Sequence, residues 1–124
     1  MQRNTPLLLE DIRDAASFVR AAVAGKSIEE YRQDRLLRQA VERNFEIIGE
    51  AMNRLRRLDP EIADGVQSAS RIVAFRNLLI HGYDIIDHEH VWTVIHEHLP
   101  LLEQTVTDLL SEQREGHSEG DSAG

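Results

Sequence analysis

Cysteine is absent from this chain of 124 residues, which removes disulfides and thiolate metal sites from consideration. Strand signals are nearly absent as well. Nowhere do β-branched and aromatic residues sustain the period-two alternation of a half-buried strand. No apolar run is long enough to cross a bilayer. The first residues, Met1 to Pro6, carry no basic-then-apolar signal pattern. These absences predict a soluble, cytoplasmic chain with no membrane partner. Lysine is almost missing: Lys26 is the single one, so 13 of the 14 basic residues are arginine. Arginine is the better fork for phosphate, but genomic base composition produces the same bias, so the count alone decides nothing.

What is present is acid and helical spacing. The net charge is −8, which on its sum argues against nucleic acid. Distribution qualifies the sum. Between Lys26 and Arg57 eight basic residues face six acids, a local balance of +2, whereas the tail from Ser111 holds four acids against Arg114. The length predicts one domain, bounded at residues 1–112, followed by an acidic tail over 113–124. The Gly, Ser and acid content from Glu115 onward predicts disorder there.

Apolar residues advance by three and four through most of the chain. Thr5 as N-cap and Pro6 at the first position open a helix whose stripe is Leu9, Ile12, Ala16, Val19 and Val23. Gly25 stops it. Ser27 and Glu30 form a capping box for the next helical region, which reaches Leu58 and restarts at Asp34. Asp59-Pro60 caps a short extra helix, and Asp64-Gly65 is a turn. Ser68 or Ser70 caps a further helix bearing Ile72, Val73, Phe75, Leu79 and Ile80 and ending near Gly82. Asp87 caps the last, with Val91, Val94, Ile95, Leu99, Leu102, Val106 and Leu109 as its stripe and a kink at Pro100. Four main helices with short connections predict an all-α, up-and-down four-helix bundle.

The densest chemistry lies in Arg76-Asn77-Leu78-Leu79-Ile80-His81-Gly82-Tyr83. Arginine keeps its charge and holds phosphate in two places. Histidine moves protons near neutral pH. Tyrosine offers a hydroxyl for hydrogen bonding or modification. On a straight helix Arg76 and His81 stand about 140° apart and cannot serve one ligand. Two arrangements escape this: the helix ends before His81, aided by Gly82, or Arg76 and His81 of two subunits meet across a two-fold axis. A plain structural reading competes with both. In it Arg76 pairs with Glu46 or Glu50, His81 caps carbonyls at a helix C-terminus, and Tyr83 packs in the core.

The spacing Arg76-x4-His81-x-Tyr83 resembles the R-x4-H-x-Y motif of the HEPN superfamily, in particular the HepT-like (DUF86) group. The segment Ala40 to Ala51 is close to that family's second-helix signature, and Asp11-Ile12, Gly25-x-Ser27, Val91-Trp92 and Leu99-Pro100 also fit. The similarity runs from about Leu7 to Leu110. The resemblance implies a dimeric helical bundle acting as a ribonuclease toxin in a type VII-like toxin–antitoxin system. The cognate partner that it implies is a small nucleotidyltransferase antitoxin of the MNT type. Arg76 and His81, with Asn77 beside them, would line a cleft at the interface of the homodimer, and Tyr83 would accept the AMP groups that silence the toxin. No cofactor and no metal are implied.

The chemistry agrees with that implication. RNA carries its own nucleophile, the 2′-OH, so a metal-independent nuclease needs a base, an acid and a cation at the phosphorane. His81 can act as base or acid, Arg76 as the cation, and Asn77 can orient His81 or bond a phosphate oxygen. The alternative is a non-catalytic helical subunit that docks on a nucleotidyltransferase and helps hold its nucleotide. Elsewhere, His88-Glu89-His90 and His96-Glu97-His98 suggest metal binding. Helical residues two apart point about 200° apart and cannot chelate one ion from one face, so these side chains are expected at the solvated surface. Trp92 is expected to pack, at the core or at a dimer interface. Glu42, Glu46 and Glu50 are expected to form a solvated stripe with arginine partners.

Overall fold

The structure of the protein, a computed structural model, describes residues 4–66 and 87–123, the last part (113–123) as backbone alone. Among the described residues every regular element is helical: α1 (Thr5–Val23), α2 (Ile28–Gln33), α3 (Arg35–Leu58), α4 (Pro60–Asp64), α5 (His88–Glu97) and α6 (Leu99–Ala123). The architecture is an all-α helical bundle. No described helix is long and apolar enough to cross a membrane.

α1 is the central element. It packs against α3 on one side and α6 on the other. The apolar stripe read from its sequence is the buried one: Leu9, Ile12, Ala16 and Val19 are fully enclosed and Val23 nearly so. From α3 come Val41, Phe45, Ile48, Met52 and Leu55, spaced by three and four so that one face is apolar. α6 contributes Leu99, Leu102 and Val106. Both neighbours run antiparallel to α1. The hydroxyl of Thr5, at the start of α1, donates to Asp59 Oδ2 past the end of α3 at 3.2 Å. Arg20, near the end of α1, pairs with Glu103 near the start of α6.

Short polar residues set the boundaries. The Ser27 hydroxyl accepts from the Glu30 amide and the Glu30 carboxylate accepts from the Ser27 amide, both at 3.1 Å, completing the predicted capping box. The Asp34 carboxylate accepts from the Leu37 amide at 3.0 Å and restarts the chain as α3. Asp59 caps α4. Asp87 accepts from the amides of Glu89 and His90. Gly25 takes φ +73°, the left-handed conformation a glycine adopts without strain.

Three details differ from the sequence reading. Thr5 is the first helical residue rather than the cap, because its side chain is drawn into the interior by Asp59; Asn4 stands at the cap without a side-chain hydrogen bond. Pro100 does not kink one long helix but separates two. α5 stops at Glu97, His98 closes it, and Pro100 falls in the first turn of α6, where its missing N–H leaves no bond unmade. The break resets the helical phase, so Leu110 is buried where Leu109 is only half-buried. Finally, the backbone of α6 stays helical to Ala123, where composition predicts disorder. The predicted helix over residues 72–82 lies outside the described residues.

Tyr31 joins the smaller helices. Fully buried on α2, its ring meets His88 edge-on at 5.8 Å and Trp92 at 5.4 Å, both on α5. Its hydroxyl has no hydrogen-bond partner among the described residues. A buried unmade hydrogen bond costs about 1–3 kcal/mol. Tyr31→Phe is therefore expected to raise unfolding stability in urea by about 1 kcal/mol; a loss of stability would show that the hydroxyl is bonded. Ile12→Ala, which empties the centre of the bundle, is expected to cost about 2–5 kcal/mol in the same assay. Leu36→Ala, at a position 79% exposed, is expected to change stability by less than about 0.5 kcal/mol.

Candidate functional site

Arg76, Asn77, His81 and Tyr83 lie outside the described residues. The described elements that flank them fix where that stretch must begin and return. Val66 follows α4, which sits beside the start of α1 through Asp59 and Thr5. Asp87 opens α5, which packs on α2 just past the end of α1. The chain therefore leaves the described structure at one end of the bundle and re-enters at the other.

At the re-entry end a set of polar side chains surrounds Tyr31. Arg38 and Glu42 come from the first turns of α3, Arg32 from α2, and His88 and Glu89 from α5. Arg32 bridges two helices, bonding Glu29 at 2.5 Å and Glu89 at 2.9 Å. Arg38 donates to the backbone carbonyl of Arg32. Burial pushes the Tyr31 hydroxyl well above the ordinary tyrosine range, with the charge of Glu42 adding to the effect and Arg38 opposing it. Burial also raises Glu42, against the pull of Arg38. His88 is lowered, first by burial and then by the positive charges of Arg38 and Arg32. At neutral pH the set thus holds a neutral phenol, a neutral imidazole and fixed guanidinium charges.

This arrangement revises two readings. The glutamates of α3 do not form a uniform solvated stripe: Glu46 pairs with Arg43 at 3.1 Å and Glu50 is exposed, whereas Glu42 is half-buried beside Tyr31. Nor are all the histidines of α5 solvated. His88 and His98 are half-buried, and each has its Nδ1 enclosed without a partner among the described residues. The reason is the packing of α5, which turns His88 onto Tyr31. His96 stacks near Trp92 at 4.5 Å and its Nδ1 lies 2.8 Å from the Trp92 carbonyl oxygen. Trp92 itself packs, as expected, against the core through Tyr31. Tyr31 was not singled out by the sequence reading; its position three residues after Ile28, just behind the capping box, is the signal that marks an inward face on so short a helix.

Among the described residues grooves open at opposite ends of the bundle. One, of about 390 Å³, lies at the α1–α2 turn beside Lys26 and Pro100. The larger, of about 560 Å³, lies between the start of α1 and the end of α3, with Arg54 and Arg57 on its wall.

Comparison with known proteins bears on the whole of this framework. The family model described as Ribonuclease HepT-like matches residues 9–109. A protein named "putative RNase" from Caldanaerobacter subterraneus subsp. tengcongensis is 32% identical over 106 residues, covering 86% of this chain and 94% of that one. Another of the same description from Methanocaldococcus jannaschii is 30% identical over 109 residues, covering 85% and 95%. A protein named "probable ribonuclease HepT" from Thermococcus cleftensis is 32% identical over 106 residues, covering 82% and 92%. No solved structure matches. A match across nearly the whole helical body, with relatives of similar length, places this chain in the ribonuclease HepT-like family.

Proposed function

We propose that the protein is a metal-independent endoribonuclease, the toxin of a type VII-like toxin–antitoxin system, with its site built on Arg76, Asn77 and His81. The observation that carries this reading is the family match over residues 9–109, inside which the whole of Arg76-x4-His81-x-Tyr83 falls. The names of the relatives, all RNases, point the same way. The protein works as a homodimer, so that two copies of the motif face one cleft and His81 of each subunit can take a different role.

The reaction needs nothing beyond these side chains and the substrate. One His81 accepts the proton of the 2′-OH as that oxygen attacks the adjacent phosphorus. The bond to the 5′ oxygen breaks, and the second His81, entering protonated, delivers a proton to that leaving oxygen. Arg76 holds the non-bridging oxygens while charge gathers on them. Asn77 orients His81 or bonds one of those oxygens. The products are a 2′,3′-cyclic phosphate and a 5′-OH. Silencing follows from the same geometry. A cognate MNT-type nucleotidyltransferase transfers AMP to the Tyr83 hydroxyl, two residues from His81, and the added bulk and negative phosphate repel the RNA backbone.

His81→Ala is expected to lower cleavage of single-stranded RNA by roughly 10²–10⁴-fold with the fold intact by circular dichroism, and to relieve growth arrest on induced expression. Equal activity of the variant and the wild type would remove His81 from the mechanism. Cleavage in the presence of excess chelator should continue and should leave cyclic phosphate termini; products lacking a 3′-side phosphate would sink the proposed route. Incubation with the cognate nucleotidyltransferase and ATP should add mass in AMP units to the wild type and none to Tyr83→Phe.

A further inference from the structure

The larger groove has a composition that the catalytic reading does not use. Its walls are Asn4, Leu7 and Asp11 from the start of α1, and Arg54, Arg57 and Leu58 from the last turns of α3. Arg54 and Arg57 are one helical turn apart, so both guanidinium groups reach the same side of α3. Both are exposed, and neither has an ion-pair partner among the described residues. This is unusual in a chain of net charge −8, where acids outnumber bases 22 to 14. Acids are abundant, yet among the described residues Asp11 is the only one on the groove wall, and it makes no ion pair with either arginine. Two positive groups and one negative group leave the groove locally positive. Beside them, Leu7 is 60% exposed and Leu58 41% exposed, an apolar shelf next to a charged wall.

We propose that this groove is a subsite for single-stranded RNA, in which Arg54 and Arg57 hold successive backbone phosphates and Leu7 and Leu58 carry an unstacked base or ribose. The inference rests on the ribonuclease reading for its choice of RNA. The pairing of features is what selects the ligand: fixed positive forks bind phosphate, and an exposed apolar shelf suits a base that has left its stack. A volume of about 560 Å³ accommodates a nucleotide or two and not a duplex. The described wall offers guanidinium groups and apolar surface but no histidine to move a proton, so the groove holds strand flanking the cut phosphate rather than the reacting group. Its role is to raise affinity for longer RNA.

The test uses the full chain carrying His81→Ala, so that RNA remains intact. Its affinity for a fluorescein-labelled single-stranded oligoribonucleotide is read by anisotropy across a salt series. Adding Arg54→Gln with Arg57→Gln should weaken binding on the order of tenfold, and the slope of log affinity against log salt should shrink by about 1.4, the value for two phosphate contacts. Arg54→Lys with Arg57→Lys should keep most of the slope, and Asp11→Asn should tighten binding. In the His81 background of the wild type, the glutamine pair should raise KM for the long oligonucleotide, leave its kcat unchanged, and leave cleavage of a dinucleotide unaffected. Unchanged affinity and slope in a protein that still cuts RNA would overturn the subsite while leaving the ribonuclease reading intact. A wild type that neither binds nor cuts RNA would overturn both. A loss of dinucleotide cleavage would also overturn it, since the groove would then act on the reacting phosphate itself.

Discussion

The burial of one stripe on α1 is the constraint on which the rest of the structure depends. Leu9, Ile12, Ala16, Val19 and Val23 are covered from two sides, by α3 and by α6, and these two helices meet α1 far more than each other. Removing α1 would leave two apolar faces with nothing to share. The polar contacts at its ends register the helices rather than hold them together. Thr5 with Asp59 fixes one end and Arg20 with Glu103 the other. Exposed ion pairs such as the second contribute little net stability, whereas the Thr5 bond is sheltered and aligns the start of α1 with the α3–α4 corner.

That corner shows how one side chain serves several parts of the chain. Asp59 ends α3, caps α4 through the Ile62 amide, and accepts the hydroxyl of Thr5 from α1. The larger groove opens beside it. The arginines on its wall stand on α3, whose apolar face packs against α1. The other end of the molecule is different in kind. There burial shifts Tyr31, Glu42 and His88 toward their neutral forms, beside the ion pairs that Arg32 makes with Glu29 and Glu89.

Much of this was legible in the sequence. Helix starts could be read because Ser27, Asp34, Asp59 and Asp87 are short side chains that satisfy amides a helix leaves open, and each does so here. The stripe of α1 was legible for the same local reason, a spacing of three and four. What escaped was tertiary. Nothing near Thr5 announces that a partner 54 residues away will draw it inward. Pro100 reads as a kink unless the closure of the preceding helix at His98 is known. His88 reads as surface because its burial depends on a tyrosine from another helix. The spacing of the motif alone does not decide its role; the family resemblance rests on the motif together with the segment Ala40 to Ala51, and the membership is shown by comparison, while the motif's side chains lie beyond the described residues.

The scarcity of lysine has a practical side. The single lysine, Lys26, sits in the exposed turn after Gly25, at the end of the bundle opposite Arg54 and Arg57. A lysine-directed tether or cross-linker therefore finds one side chain in one place. A molecule attached to a surface through it would present the arginine-lined groove away from the support.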